Sequence, residues 1–350
     1  MTVRVPDVTY VLPLRRDRFD ERATAELSRY LADLSARTQV VVADGSPAPV
    51  RARHAASWPD ATRTVAVPVP PPGCNGKVVG VLAALATVST AHVVLADDDV
   101  RWDPATLDRA LAALDDADVV VPQNVFDPAP WHARWDTARS LVNRALGHDW
   151  AGTVVLRRDA LGPEGYDARV LFENLELERT ARARGGRVVH RPDLFVDRRP
   201  PAVRTFLEQR VRQAYDSSAQ PARLAGELAL VPVLAACAAG ATRSDGARRV
   251  AWAAAIAVVL GSAALVAEVG RRTAGGAAVW PPTAALWAPA WLLERAVCAW
   301  VALGWRLRGG VPYRGTRIRC AAHSLAELRR ATGEEPRRRG SRASAPRRSS

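Results

Sequence analysis

The chain has one lysine and one methionine in 350 residues. Lys77 stands alone in a count of 49 Lys+Arg, so every other long-chain cation is an arginine. An alanine, arginine and proline bias of this kind matches GC-rich coding. It makes each arginine less informative and the surviving ammonium more so. Cysteine is scarce too. Cys74, Cys237, Cys298 and Cys320 are scattered without metal-ligand spacing, which leaves four reduced, structural thiols. The first residues, "MTVRVPDVTYVLPLRRD", lack the apolar run of a signal peptide, so the first two thirds are expected in the cytosol. Also missing from the N-terminal half is a basic stripe with interleaved aromatics. Without one, a net charge of +13 does not imply nucleic acid. The charge gathers in a C-terminal cluster, "EEPRRRGSRASAPRRSS", expected to be a disordered tail. It also gathers beside apolar segments, where it suits an anionic membrane surface.

The hydrophobic content of 48% is ample for a core. The first half alternates strand-like and helix-like runs. Val8–Leu14, Thr38–Ser46, Thr62–Pro70, Ala91–Val100 and Asp118–Phe126 read as strands. Glu21–Ala36 and Gly76–Ser89 read as helices, as does the segment capped by Asp103 with Pro104 in its first turn. That order predicts an α/β fold with a mostly parallel sheet and helices on both faces. Ligands of such sheets bind at the carboxyl ends of the strands, where Asp44 and Asp97–Asp99 fall. From residue 222 the character changes. Leu224–Ala241, Val250–Val269 and Ala277–Leu293 are apolar runs flanked by Arg243, Arg248, Arg249, Arg271, Arg272 and Arg295. The second, of about 20 residues, is long enough to span a bilayer. The others are interrupted by Glu227, or by Pro281, Pro282 and Pro289, which leaves open which run is interfacial. Trp280, Trp287, Trp291, Trp300 and Trp305 fit an interfacial belt, and two spans would return the basic tail to the cytosol. The expected division is 1–221 catalytic, 222–307 membrane-associated and 308–350 a basic C-terminal segment.

"VVLADDDVRW" is the richest stretch. Three successive aspartates at a strand end repel one another, and a hard divalent cation, Mg²⁺ or Mn²⁺, relieves that repulsion through oxygen ligands. In extended chain Asp97 and Asp99 project to one side and Asp98 to the other. Asp44, in "VVADGS", can hydrogen-bond a base or ribose. Lys77, in "NGK", opens a helix where dipole and ammonium both favour phosphate. A compact ammonium fits where a bulkier guanidinium fork does not. Trp131, His132, Trp135 and Asp136 cluster at a helix start, where aromatics can stack on a sugar or shield a lipid. His132 reads as a polar capping residue.

"VVVADGS", "NGKVVGVLAAL", "VVLADDDVRWDPATL", "AGTVVLRRDAL", "FENLELERTARARGG" and "EQRVRQAYD" occur in this order between Val8 and Asp216. The set resembles the nucleotide-sugar-binding domain of family 2 glycosyltransferases. It is most similar to the membrane-bound branch with ceramide and hopanoid-lipid glucosyltransferases. "RGGVPYRGTRI" is similar to a segment that follows the membrane region in such enzymes. The resemblance implies a GT-A, Rossmann-like fold and a multi-pass cell-membrane enzyme with its catalytic domain in the cytosol. It implies a UDP- or GDP-sugar donor, a divalent metal, and a hydroxyl acceptor for which membrane proximity suggests a lipid or lipid-linked molecule. It puts Asp44 on the nucleotide, Lys77 by the diphosphate, Asp97 and Asp99 on the metal, and Gly152 and Thr153 in the sugar pocket. The family's Glu-Asp pair is Glu173-Asn174 here. An amide cannot take a proton, so the base falls to Glu173, to Glu176 one helical turn on, or to another group. The Gln-x-x-Arg-Trp motif appears as Gln209, Arg212 and Gln213, without the tryptophan. Arg212 remains available to clamp phosphate. Transfer with inversion is the expected outcome. Two rivals share these residues: a nucleotidyl or phosphoryl transferase, and a membrane scaffold that has lost its base.

Overall fold

The computed structural model describes residues 7–333, so the basic cluster after Gly333 lies outside the described residues. The strands are β1 (Val8–Leu14), β2 (Gln39–Asp44), β3 (Thr62–Ala66), β4 (His92–Ala96), β5 (Val100–Arg101), β6 (Val119–Phe126), β7 (Thr153–Arg157) and β8 (Val188–Arg198). They form one sheet in the order β3-β2-β1-β4-β7-β6-β8-β5. β1 to β4 are parallel, β7 is antiparallel to β4 and β6, β8 is parallel to β6, and β5 is antiparallel to β8. The sheet is mostly parallel, as the alternation predicts. The two reversed strands carry their amino ends, Val100 and Thr153, to the edge where the others end. One edge therefore collects Asp44, Asp97–Asp99, Gly152, Thr153 and Arg198.

The helices are α1 (Glu21–Ser35), α2 (Ala48–Ala55), α3 (Gly76–Leu85), α4 (Pro104–Ala112), α5 (Trp131–Ala145), α6 (Glu173–Ala183), α7 (Val203–Asp216), α8 (Pro221–Arg243), α9 (Gly246–Arg272), α10 (Ala288–Leu307) and α11 (Leu325–Thr332). Helical spacing puts Leu27, Leu31 and Leu34 of α1 on one face, where they pack with Tyr10, Leu12 and Val42. On the other sheet face Val78, Val81 and Leu85 of α3 and Leu177 and Ala181 of α6 meet Val11, Val93 and Leu156. Each such aliphatic side chain stabilises the fold by roughly 1.5–3 kcal/mol. Asp103 accepts from the Thr106 amide at 3.0 Å and caps α4, with Pro104 in the first turn. Asn75 does the same for α3, accepting from the Lys77 amide at 3.0 Å. That cap fixes where the lone ammonium enters the site.

Three helical stretches, Pro221–Arg243, Gly246–Ala278 and Pro282–Leu307, are long and apolar enough to cross a membrane. The run beginning at Leu224 is one unbroken helix despite Glu227, which pairs with Arg223 one turn back at 3.0 Å. The run Ala277–Leu293 is not one helix, because Pro281 and Pro282 stop it and α10 starts only at Ala288. α8 and α9 are joined by Ser244 and Asp245 and pack along each other, each with only 11% of its apolar window buried. The foot of α9 meets α5 so closely that a Cβ on Gly270 would lie 1.8 Å from the Leu141 carbonyl oxygen. Trp280 and Trp291 do not form a belt. They are buried with Ala138 and Leu141 of α5, and the Arg144 guanidinium lies 4.8 Å from the Trp280 ring.

After α10 the chain turns back onto α7 and the segment that leads into α6. A small hairpin, β9 (Val311–Tyr313) and β10 (Thr316–Ile318), is followed by Cys320 and Ala321, whose carbonyls accept from the Leu171 and Phe172 amides at 3.0 and 2.8 Å. The segment that starts α6 is thus held by residues from beyond the apolar helices.

Candidate active site

Two cavities meet at Lys77 and Asp97. The first, about 780 Å³, lies over the ends of β1, β2 and β4 and is lined by Arg15, Gly45, Ser46, Arg51, Asp97, Asp98 and Asp99 among others. The second, about 330 Å³, is bounded by the starts of α3 and α6, by α7, and by the apolar helices. Lys77, Asp97, Arg198, Gln209 and Tyr313 line both.

Lys77 donates to Glu173 Oε1 at 2.8 Å and is in contact with Asp97 Oδ1. Burial pulls its pKa down, but Asp97 and then Glu173 outweigh this and hold the ammonium above its ordinary value. Asp97 and Asp99 sit in a turn after β4, closed by the Val100 amide on the Asp97 carbonyl at 3.1 Å. They meet across that turn and not by alternation along a strand. Arg198, at the end of β8, bridges them, with Asp99 Oδ2 at 2.9 Å and Asp97 Oδ2 at 3.3 Å. Burial, eased by Arg198 and reinforced by Asp97 and Asp98, pushes the Asp99 carboxyl up to about 6. Its Oδ1 is buried with no hydrogen-bond partner among the described residues. A Cβ on Gly152 would lie 2.7 Å from Asp97 Oδ2. An orphaned carboxylate oxygen, a second carboxylate beside it and a glycine-lined wall fit a hard cation. Asp98 points away and pairs with Arg16 at 3.3 Å.

Several other expected residues are placed differently. Asp44 ends β2 but lines neither cavity. It is fully buried, accepting from the Ser46 amide at 2.8 Å and from His54 Nδ1 at 2.8 Å. It fixes the Gly45–Ser46 loop, which does line the first cavity. Thr153 is buried, its hydroxyl donating to the Leu95 carbonyl at 2.7 Å, while Gly152 faces the cleft. Glu176, the other candidate base, lines neither cavity. It is fully buried and turned away from the cleft, accepting from the His323 amide at 2.7 Å and from His323 Nδ1 at 2.9 Å. Glu173 lines the second cavity. Asn174 donates to the Ala151 carbonyl at 2.9 Å. Gln209, Arg212 and Gln213 all reach the second cavity. The Trp131–Trp135 pair lines neither. Trp135 donates to Glu294 of α10 at 2.7 Å, and His132 is buried against the Pro201 carbonyl at 2.9 Å.

Sequence reasoning missed four residues of this site. Arg198 and Arg295 are two arginines among 48, obtained as 49 Lys+Arg minus one lysine, and nothing local marks them. Tyr313 belongs to "RGGVPYRGTRI", which resemblance does flag. It donates to Asn75 Oδ1 at 3.2 Å, and the Arg212 guanidinium lies 5.8 Å from its ring. An aromatic thus stands beside Arg212 although the motif tryptophan is absent. Asp216, at the end of α7, lines the second cavity. Burial, then the charge of Glu173, pushes its carboxyl well above the usual range.

Residues 27–216, more than half of the chain, match the family described as glycosyltransferase like family 2. Among solved structures, the chain is similar to a mannosyltransferase from Pyrobaculum calidifontis in complex with GDP-Man and Mn²⁺. The identity is 19%, over 85% of this chain and 88% of that one, with a TM-score of 0.47. It is also similar to glucosyl-3-phosphoglycerate synthase from Mycobacterium tuberculosis with Mn²⁺, UDP and glucosyl-3-phosphoglycerate, at 18% identity over 57% and 74%, TM-score 0.35. A third is S. aureus TarS with UDP-GlcNAc, at 15% identity over 55% and 58%, TM-score 0.40. No curated protein sequence matches significantly.

Proposed function

The chain belongs to glycosyltransferase-like family 2, and from that premise we propose that it transfers a sugar from a nucleoside diphosphate sugar to an acceptor hydroxyl at a membrane surface. Its catalytic part has the GT-A fold. The observation that carries the proposal is the position of Lys77, at the junction of two cavities and within ion-pair reach of Asp97 and Glu173.

The first cavity suits the donor. Arg15, Arg51 and Lys77 give it positive charge for a diphosphate, and Asp44 positions the loop beside them. Asp97 and Asp99 would hold Mg²⁺ or Mn²⁺, which when bound neutralises charge on the departing nucleoside diphosphate. The second cavity suits the acceptor. There Glu173 takes the acceptor's hydroxyl proton, the freed oxygen bonds to the anomeric carbon, and the bond to the diphosphate oxygen breaks, its electron pair leaving with the phosphate. Lys77 holds Glu173 in place through their 2.8 Å hydrogen bond and stabilises the leaving group. With Glu173 as the base, the acceptor oxygen displaces the diphosphate in one step, with inversion.

Topology is read from the return of the chain. Cys320 and Ala321 bond the segment that leads into α6, so an even number of crossings brings the chain back to the catalytic domain. The α8–α9 hairpin supplies two, and α10 lies against α5 and α7. The hairpin tip carries Arg243, Arg248 and Arg249. The opposite side carries Arg223, Arg271, Arg272, Arg306 and Arg308, which supports a cytosolic catalytic domain.

The test is a panel of UDP- and GDP-sugars with the full chain in detergent and Mn²⁺, reading nucleoside diphosphate release. Slow release from one donor, lost on chelation, is expected. Release of pyrophosphate or inorganic phosphate instead would overturn the proposal.

A further inference from the structure

The second cavity has a cationic wall on the far side from the donor cleft. Arg295, from α10, is 1% exposed, and Nε, Nη1 and Nη2 all lack a hydrogen-bond partner among the described residues. A guanidinium carries five donors, and burying them unpaired is costly unless an anion arrives. Glu227, Glu294 and Asp216, the last of which lines the same cavity, bear on it electrostatically but none hydrogen-bonds it; Glu227 is paired with Arg223, and Glu294 accepts from Trp135 and lies 3.8 Å from Arg210. Four more arginines line the same cavity, of which Arg198 is held at the donor side by Asp97 and Asp99. Arg139 is held by Asp136 and Asp149, and Arg223 by Glu227 and Asn143. Arg212 has no carboxylate in ion-pair range among the described residues, only the Tyr313 ring. The wall thus offers two uncommitted guanidiniums and two more that can turn to share a ligand.

We propose that this wall binds a phosphate group carried by the acceptor, and that the acceptor is a membrane amphiphile. The inference rests on reading the second cavity as the acceptor's. Several guanidinium forks converging on one space match the oxygens of a phosphate better than a neutral sugar or sterol headgroup. The membrane origin follows from which elements build the wall. Arg223 and Arg295 come from α8 and α10, within stretches long and apolar enough to cross a bilayer, so the phosphate would be gripped by the apolar helices and not by the sheet. An ionisable residue turned inward from such a stretch marks a ligand path. It also gives Glu173 its register: an amphiphile held by its phosphate presents a nearby hydroxyl to the base.

The experiment is calorimetric titration of the full chain in a neutral detergent with two probes, dodecyl phosphate and glycerol 1-phosphate, each against wild type and Arg295→Met. UDP and GDP are titrated alongside. Dodecyl phosphate is expected to bind wild type and to weaken at least about tenfold in Arg295→Met, as loss of a charge-assisted fork requires. Nucleotide affinity is expected to stay unchanged. Thermal stability of the variant should equal or exceed wild type, because an unpaired buried charge is removed. If Arg295→Met does not fold, Arg223→Gln is the second variant, with a loss of roughly threefold or more. Equal binding of both phosphates, lost in the variant, would keep the anion site and overturn its lipid source. Unchanged dodecyl phosphate binding in a variant that still binds nucleotide would overturn the whole inference, as would no phosphate binding by a wild type that binds nucleotide. A wild type that binds neither UDP nor GDP would overturn the donor reading itself.

Discussion

Lys77 Nζ lies 2.8 Å from Glu173 Oε1, although 96 residues separate them. The contact joins the capped start of α3 to the start of α6 and sets the ammonium between the two cavities. The single lysine is therefore at a place where a small charge touches two carboxylates at once, and a planar fork would have to displace one of them. Lys77→Ala is expected to lower turnover by about 10²–10³. Lys77→Arg keeps the charge and is expected to lose at least about tenfold. Steady-state rates of nucleoside diphosphate release check both, and full activity in Lys77→Arg would remove the steric argument.

The two glutamates of α6 should separate cleanly. Glu173→Gln is expected to cut turnover by about 10²–10⁴ with nucleotide affinity intact. Glu176→Gln instead loses charge-assisted hydrogen bonds to His323, expected to cost about 1–3 kcal/mol and several degrees in Tm. Equal turnover losses without any change in Tm would return Glu176 to candidacy.

Gly152 is needed for lack of a side chain. An added methyl would press on Asp97 Oδ2, a movable atom, so Gly152→Ala should fold and displace the carboxylate. Mn²⁺-dependent nucleotide binding is expected to weaken markedly in Gly152→Ala and to vanish in Asp99→Ala. Isothermal titration with and without Mn²⁺ reads this directly. Unchanged Mn²⁺ dependence in Asp99→Ala would withdraw the metal assignment.

Stability should depend on pH through a cluster outside the cleft. The His148 ring lies 3.5 Å from that of His190, with buried Glu178 and Arg182 beside them. Burial, then the His190 charge, lowers the His148 pKa, an effect that Glu178 and Asp149 oppose and Arg182 assists. A depressed imidazole contributes stability above its unfolded value of about 6.5, and that contribution is lost as pH falls. Tm is expected to fall between about pH 7 and pH 5, less steeply in His148→Phe. Parallel pH profiles for the two proteins would exclude His148 as the source.

The sheet and its strand-end acids were legible because period and position are local properties. Alternating apolar runs dictate strands with helices between them, and Asp103-Pro104 or Asn75 stop and start helices through their own side chains. Asp97 and Asp99 could be read as a metal pair because adjacent like charges need a cation wherever they lie. Lys77 stood out as the lone lysine at a helix start, and family resemblance then added Glu173 and Arg212.

Other decisions required the folded chain. Glu173 and Glu176 share a helix turn, yet only the packing of His323, from beyond the apolar helices, turns one inward and leaves the other in the cleft. Asp44 stands where a nucleotide contact is expected, but His54 and the Ser46 amide claim its carboxylate. Arg198, Asp216, Tyr313 and Arg295 join the site from four distant segments. In a chain with so many arginines, no local signal marks the two that matter. Composition and periodicity determine which elements form and where charge is concentrated. Which charge is paired, buried or left free depends on contacts between residues far apart in sequence, and those exist only once the chain has closed on itself.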